Sequence, residues 1–547
     1  MLTGQASARD ARFGWAAFLA ISAANLALVW WYRHPPTLDG PVHLYISAVL
    51  TGYDAPEAAA FRHYFELNPR LNPNLLIYGL LYGLGQFLPL AVAEKVLISG
   101  YVVGLPLAVR YAAKPLTAAP WLAALLAMPL ALSLTLHLGF YNYSYGLLMV
   151  PLALGAYLRA DTAPSLGRLL WLGLAGLLVL AAHIFAAMAL LLMVAVLALW
   201  RAWRQIAGGA GPWPTVRRRL LAPAVALAPT ALLVLTFIVT NEAPPSPLAD
   251  RSDLLYRLVL FTLPGFLWLY SKSDVGLAAL LQVLVLLALF HALRSAKPTP
   301  EQPREHGFLV VFLVFAVLFF AIPGKAGGGG WMLHRLQPYL YLALVLWLAG
   351  LAMRPGFRRG LGLALTALAI TTAAYRLPQY GEIDRYRRQF ETVLAPLQRG
   401  DTVSSAIVGP LVDADGAATP AWRADPLPHL AAYPAAARGA VFLGLYQAHM
   451  AVFPIRYRAA RDPFQYRVPA VPGVDPNAPR LVDLDAYNQE PDRRLDYLLV
   501  VGEAATSRVV AIDRFRRQLA RDYRLVREVT RPGPLHLYRH KDHSARD

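Results

Sequence analysis

The side chains best suited to acid–base chemistry lie in residues 37–45 (TLDGPVHLY), a polar stretch that directly follows the first apolar segment. Asp39 offers a carboxylate that can take a proton from an attacking hydroxyl or amine. His43 lies four residues further on and shares a face with Asp39 if the stretch is helical. The alternative is structural: Asp-Gly-Pro is a common turn sequence, so Asp39 would only cap a helix and His43 would only pack.

A polar and aromatic cluster, residues 137–145 (HLGFYNYSY), lies between two apolar blocks, and His183 lies inside the apolar run 178–192. Tyrosines are common at every membrane interface and mean little alone. A histidine or amide at membrane depth is a candidate functional group, although a backbone carbonyl can also satisfy it. The candidate ligand contacts here are His137, Tyr141, Asn142 and His183.

The loop at residues 323–335 (PGKAGGGGWMLHR) places Lys325 and Arg335 on either side of a glycine run. Glycine lets a backbone approach a ligand closely and can form an anion-binding nest. Two cations beside such a run predict a phosphate partner. The loop is not a P-loop, because no Gly-Lys-Ser/Thr follows the glycines. The alternative is a flexible loop with snorkelling cations.

These polar groups belong to a chain with few charges. Of its 547 residues, 57% are hydrophobic and 15% are charged, whereas soluble domains carry about 25% charged residues. The apolar residues fall in blocks separated by short basic loops, which is the transmembrane pattern. Eleven blocks are predicted to span a membrane: 13–32, 96–113, 120–136, 145–158, 169–182, 184–200, 220–240, 275–293, 308–322, 336–353 and 360–377.

The distribution of charge predicts the orientation. Residues 378–547 hold 24 basic and 20 acidic residues, so only +4 of the net +18 belongs to them and +14 belongs to the apolar part. With a cytoplasmic N-terminus, the inner loops hold 17 basic residues and the outer loops 9. This bias favours a bacterial inner membrane protein with a periplasmic tail and argues against nucleic acid. If the apolar stretches 74–90 and 258–270 crossed the membrane, the later loops would change sides and the bias of basic residues would be lost. We therefore predict that these stretches lie in the outer interface.

The chain has no cysteine, which excludes disulfides, thiolate catalysis and Cys-ligated metals. The histidines and carboxylates show no metal-ligand spacing. Asp39 together with Asp54 or Glu66 could still hold a divalent cation, so a metal stays possible.

After Leu377 the apolar runs shorten and charges become frequent, which predicts a soluble α/β domain at residues 378–547. Strands are expected at 403–408, 440–445 and 497–501, and a helix at 504–523. Two more strands are expected within 525–538, around a turn at 531–534. The remaining residues, 1–377, form the predicted membrane domain, with a first outer loop at 33–95.

This order of elements resembles the GT-C superfamily of membrane glycosyltransferases: a first helix, an acidic outer loop with juxtamembrane helices, about ten more crossings and a periplasmic α/β tail. The chain is distantly similar to lipid A aminoarabinose transferases and protein O-mannosyltransferases. It departs from them at Gly40, where those enzymes have a glutamate after the aspartate.

The resemblance implies transfer of a sugar from a polyprenyl-phosphate carrier to a glycan, lipid or protein acceptor, with inversion and with Asp39 as the base. It also implies that Glu66 and Arg70 form the acidic–basic pair whose basic member meets the lipid phosphate; an i,i+4 surface pair is the alternative. In that setting His137, Asn142 and His183 would hydrogen-bond the sugar. We expect Asp39, His43, His183 and Arg335, with His137 or Asn142, to line one outer cavity.

Two other functional classes stay open. A transporter or lipid flippase would place charges near the membrane midplane and show inverted repeats, whereas the polar groups here cluster in outer loops. A non-catalytic envelope-assembly protein would use the membrane part as an anchor and the tail to bind partners.

Overall fold

The computed structural model describes residues 8–70, 72–209, 213–240, 254–295, 306–324, 330–409, 421–450, 452–466, 482–489, 494–502 and 510–543. The chain forms two compact units. The membrane unit comprises Met1–Val29, Asn72–Ile77 and Leu97–Arg376. The loop–tail unit comprises Trp30–Leu71, Tyr78–Val96 and Leu377–Asp547.

Helices dominate both units. In chain order they are α1 (Ala8–Trp31), α2 (Gly40–Gly52), α3 (Ala59–Tyr64), α4 (Leu76–Gly85), α5 (Leu90–Ala113), α6 (Pro120–Ala127), α7 (Leu134–His137), α8 (Tyr141–Thr162), α9 (Leu166–Ala182), α10 (Ile184–Ala207), α11 (Trp213–Thr240), α12 (Leu254–Thr262), α13 (Asp274–Ser295), α14 (Gly307–Ala321), α15 (Met332–Ala349), α16 (Pro355–Val393), α17 (Ala432–Arg438), α18 (Tyr446–His449), α19 (Leu484–Asn488) and α20 (Val510–Asp522).

The strands are β1 (Phe65–Leu67), β2 (Thr402–Ile407), β3 (Val441–Phe442), β4 (Ile455–Tyr457), β5 (Tyr497–Val501), β6 (Tyr523–Val529) and β7 (Leu535–His540). Five of them form one sheet in the order β3-β2-β5-β7-β6. Strand β2 is parallel to β3 and β5, while β7 is antiparallel to β5 and β6.

Six helices in the described part of the chain are long and apolar enough to cross a membrane: α1, α5, α10, α11, α13 and α16. Leucine and alanine dominate them, and a helix satisfies every backbone group internally where lipid offers no partner. The expectation of a multi-pass membrane protein is therefore confirmed. The count of eleven spans and the orientation stay predictions.

The apolar stretches assigned to the interface contain short helices. Within residues 74–90, α4 has ten residues, and α12 ends at Thr262, before a 3₁₀ turn at Gly265–Leu267. In lipid, ten helical residues cover about half of the ~20 that a perpendicular span needs.

The tail contains the expected mixture of helices and strands. The prediction of a strand at 497–501 is confirmed, and β6 and β7 form the expected final pair. The prediction for 440–445 was too long, because β3 has only two residues. The helix expected at 504–523 is described from Val510 to Asp522, and its first residues lie outside the described part.

The first outer loop is built into the same unit as the tail. Strand β1 pairs antiparallel with β4, so that Glu66 lies opposite Arg456. Tyr45 of α2 is fully buried; its hydroxyl donates to the Ala440 carbonyl at 3.0 Å and accepts from the Phe442 amide at 2.8 Å. Burial raises the pKa of Tyr45 well above its ordinary value, so this bridge keeps its proton. The sequence division had placed this loop with the membrane part.

Candidate functional site

Asp39 immediately precedes α2 and is 5% exposed. Its side chain makes no capping hydrogen bond to that helix. Instead, Oδ2 accepts a hydrogen bond of 3.0 Å from the Tyr446 hydroxyl, and Oδ1 lies 3.6 Å from His429 Nε2. The carboxylate is therefore oriented by residues some 400 positions away in sequence rather than by its own helix.

The elements that carry these partners are short helices of the tail. His429 is buried just before α17, which packs on α2, and Tyr446 is the first residue of α18. The rings of His429 and Tyr446 are 5.7 Å apart. Sequence reasoning missed both residues, because no local pattern in the tail relates them to Asp39.

His43 lies one turn into α2, where it is buried, and its Nδ1 is 2.7 Å from the Tyr78 hydroxyl. Burial and the negative charge of Asp39 raise the pKa of Tyr78 well above its ordinary value. Tyr78 therefore keeps its proton, and its hydroxyl forms a hydrogen bond with His43 Nδ1. Tyr78 thus contacts His43 and is influenced by the charge of Asp39, while a shared catalytic role for Asp39 and His43 stays a prediction.

A second buried carboxylate was missed from the sequence. Glu94 is 0% exposed; its Oε2 lies 3.3 Å from His34 Nδ1, and the Tyr433 hydroxyl donates to Oε1 at 3.3 Å. His34 stacks on the Tyr433 ring at 3.8 Å. Burial and the charge of Glu94 raise the pKa of Tyr433. Tyr433 and His429 are four residues apart, so one turn at the start of α17 reaches both Asp39 and Glu94.

The expected pair of Glu66 and Arg70 is arranged differently. Glu66 lies in β1 and its carboxylate pairs with Arg456 at 2.6 Å and with Arg458 at 4.0 Å. The alternative of an i,i+4 helical pair was wrong, because residues 65–67 form a strand. Arg70 is exposed, and its amide bonds Asn68 Oδ1 at 3.4 Å.

The predicted ligand contacts in the membrane unit fall into two groups. Side chains of the first group lie at helix ends, where most of them hydrogen-bond the backbone. Asn142 Oδ1 accepts from the Ile77 amide at 3.0 Å, and its Nδ2 donates to the Asn74 carbonyl at 2.7 Å. His183 Nδ1 accepts from the Phe185 amide at 3.0 Å and so caps α10. His137 Nδ1 lies 2.8 Å from the Ser133 carbonyl, and Tyr141 is buried at the start of α8.

The second group is a cation beside aromatic rings. The Arg335 guanidinium lies 4.5 Å over the Phe140 ring, and the Arg335 carbonyl accepts from the Tyr143 hydroxyl at 2.6 Å. The Tyr143 ring also meets His183 edge-on at 5.5 Å. The structure thus brings His183 and Arg335 together around Tyr143. Lys325 and three of the four glycines after it, Gly327–Gly329, lie outside the described residues.

Arg376, near the middle of α16, is a further buried cation that sequence reasoning missed. It is 1% exposed, and its two terminal nitrogens donate to the carbonyls of Leu132 at 2.8 Å and Leu267 at 3.3 Å. Within the described residues its Nε has no hydrogen-bond partner. Both of these partners are neutral carbonyls rather than carboxylates.

A cluster with metal-ligand composition lies at one edge of the tail sheet. Among the described residues, Asp401, Asp496 and His543 place one ligand atom each within 4.8 Å of one another. His543 Nδ1 is 3.0 Å from Asp496 and Nε2 is 3.5 Å from Asp401. Each ring nitrogen faces a carboxylate, so the imidazole links the residues that directly precede β2 and β5. The expected ion near Asp39 stays a possibility.

No protein-family model and no curated protein sequence matches the chain. Among solved structures, the chain is similar to the cryo-electron microscopy structure of the arabinofuranosyltransferase AftD from mycobacteria, with a TM-score of 0.44 and 15% identical residues. The match covers 92% of this chain and 40% of that one, so the chain spans less than half the length of that transferase.

Proposed function

We propose that this chain is a membrane glycosyltransferase that moves a sugar from a polyprenyl-phosphate carrier to an outer-face acceptor, with Asp39 as the general base. The observation that carries the proposal is the Asp39 carboxylate, which is buried and held by Tyr446 and His429 instead of capping α2. A carboxylate that only ended a turn would not need an orienting tyrosine from another part of the chain.

The chemistry that suits this arrangement is a direct displacement. Asp39 takes the proton of the acceptor hydroxyl or amine, and the acceptor atom forms its bond to the anomeric carbon. The bond from that carbon to the carrier phosphate breaks, and the phosphate leaves with the electron pair. Attack from the face opposite the phosphate inverts the anomeric centre. The phosphate is already a good leaving group, so the protein needs a base and charge stabilisation but no acid.

The partners of Asp39 have positioning roles in this proposal. Tyr446 fixes Oδ2, and His43 is held by Tyr78 one helical turn away. Such locking keeps a base within the narrow range of positions that proton transfer requires. For the lipid phosphate we propose Arg335, with Lys325 as the expected second cation.

The test compares glycans and lipid-linked sugars extracted from cells with and without the gene. The expected result is the loss of one sugar from an envelope glycan, lipid or protein, together with accumulation of its polyprenyl-phosphate donor. Unchanged glycans and unchanged donor pools would contradict the proposal and favour the non-catalytic alternative. Accumulation of donor lipid with the wrong sidedness would favour a flippase.

A further inference from the structure

The arginines at one end of helices α8–α11 form a charged surface that the proposed reaction does not use. Residues 141–240 contain seven arginines and a single acidic residue, Asp161. All eight lie in the last two turns of α8 and α10 or the first two turns of α9 and α11. Short connections join α8 to α9 and α10 to α11, so these four ends lie on one side of the membrane unit.

Several of these charges are already engaged. Asp161 pairs with Arg201 at 2.8 Å and with Arg219 at 3.7 Å. Arg159 donates to the carbonyls of Gly155 and Tyr111 and stacks on the Tyr111 ring at 3.8 Å. One carboxylate thus balances only part of the cationic surface.

The remaining charge borders a cleft. Arg218 is exposed, and within the described residues it makes no ion pair or hydrogen bond. Arg218 and Arg219, together with Asp161, line a shallow open cleft between α8, α9 and α11, whose enclosed volume of about 20 Å³ is close to that of one water molecule. The rest of the lining includes Leu169, which follows Arg168 on α9, and Ala222 and the buried Pro223, which lie about one turn beyond the arginines of α11.

The surroundings mark this end of the helices as a membrane–water boundary. Trp203 and Trp213 are exposed beside the arginines, and tryptophan is enriched at that depth. Leu166, Leu170 and Val225 are also exposed on α9 and α11, as expected of side chains that face lipid. The cleft therefore has a cationic mouth and walls that continue into an apolar surface.

We infer that the surface around this cleft binds an anionic phospholipid, with the headgroup phosphate at Arg218 and Arg219 and the acyl chains along the exposed Leu170 and Val225. A guanidinium binds a phosphate oxygen pair through parallel hydrogen bonds. Basic pockets between membrane helices are suited to anionic headgroups, which concentrate at the cytoplasmic leaflet. A free phosphate would use the two arginines but would gain nothing from the apolar wall. The inference rests on no residue of the proposed catalytic site.

The test uses the full chain in nanodiscs of phosphatidylcholine with a minor share of phosphatidylglycerol, and measures the phospholipids retained after transfer to detergent. Phosphatidylglycerol should be enriched over phosphatidylcholine on the wild-type chain. Arg218→Gln and Arg219→Gln should each lower that enrichment by about tenfold, the factor expected for losing one charged hydrogen bond. Arg217→Gln is the matched control, because Arg217 is exposed on the same turn and does not line the cleft.

Three outcomes would overturn the inference. Equal retention of the two lipids by the wild-type chain would leave the arginines as ordinary solvated charges. An equal loss in all three variants would indicate diffuse surface charge rather than a site. Displacement of phosphatidylglycerol by millimolar inorganic phosphate would indicate a free-phosphate site, provided that phosphate releases no lipid from discs made of phosphatidylcholine alone. Arg218→Gln changes an exposed side chain, so its folding is not in question.

Discussion

Some buried charges in the two units are held by different kinds of partner. In the loop–tail unit the carboxylates of Asp39 and Glu94 are approached by tyrosine hydroxyls and imidazoles. In the membrane unit the Arg376 guanidinium is held by main-chain carbonyls, and the buried Asp274 carboxylate accepts hydrogen bonds from main-chain amides just before it. Side chains from distant parts of the sequence thus orient the first pair, and main-chain groups hold the second. In the proposed function Asp39 takes the proton and Arg335 binds the donor phosphate.

The largest expected effect concerns the side of the membrane on which each region lies. The native chain lacks cysteine, so single-cysteine variants at the exposed residues Arg70, Arg524 and Arg218 can be labelled without background. In intact cells with a permeable outer membrane, an impermeant thiol reagent should label positions 70 and 524 and leave 218 unlabelled. The physical reason is the 17-to-9 bias of basic residues towards the inner loops. Labelling at 218 but not at 70 would reverse the orientation and remove the proposed site from the outer face.

The next largest effect concerns Arg335, which we propose binds the donor phosphate. Arg335→Ala should weaken binding of the lipid donor by about 10- to 100-fold, because it removes charged hydrogen bonds to phosphate. Arg335→Lys should restore only part of the affinity, since a point charge cannot reproduce a two-pronged contact. The single-turnover rate at saturating donor should change little. Arg524→Ala, an exposed cation in the tail, is the control. A rate loss with unchanged donor affinity would place Arg335 in the chemical step.

A smaller effect is expected for the residue that orients the base. Tyr446→Phe keeps the ring and removes the hydrogen bond to Asp39 Oδ2, so kcat should fall by about tenfold while KM stays nearly constant. Tyr487→Phe, at another buried tyrosine in the tail, should leave kcat unchanged. Equal losses in the two variants would mean that Tyr446 only supports the fold.

The smallest effect is on stability at alkaline pH. Burial and the charge of Glu94 raise the pKa of Tyr433. Unfolded chains lose this proton near pH 10, before the folded chain does, so stability should fall as the pH rises above that value. Each such tyrosine contributes at most about 1.4 kcal/mol per pH unit. In thermal unfolding at pH 8 and 10.5, Tyr433→Phe should show a smaller loss of Tm than the wild type. An equal loss of Tm in both chains would mean that other groups cause the fall in stability.

Local patterns in the sequence predicted the parts of the fold that local physics decides. Apolar runs such as 275–293 became helices, and the run 497–501 became a strand, because length and periodicity settle those outcomes. Asp39 was identified because it directly follows the first helix. Its partners His429 and Tyr446 could not be identified in this way, because they reach Asp39 only when the tail packs on the first loop.

Other misses have equally specific causes. Glu94 is an ordinary charge in the sequence and becomes unusual only through complete burial beside His34 and Tyr433. Arg376 resembles a basic residue at the end of a span. Asn142 and His183 were predicted to be ligand contacts, and the hydrogen bonds described above join them to the backbone at helix breaks. A polar residue at a break in a membrane helix can hydrogen-bond the free backbone groups there, and sequence alone does not reveal whether it does.

The most direct test of the central claim measures two quantities on one purified variant in nanodiscs, Asp39→Asn. The substitution keeps the side-chain shape and removes the proton acceptor. We predict that the single-turnover rate of sugar transfer falls by about 10²- to 10⁴-fold, the contribution of a general base, while the affinity for the lipid-linked donor stays within about twofold. A fully active Asp39→Asn chain would contradict the account, leave Asp39 as a turn residue, and move the search for the base to His43, Glu66 or Glu94.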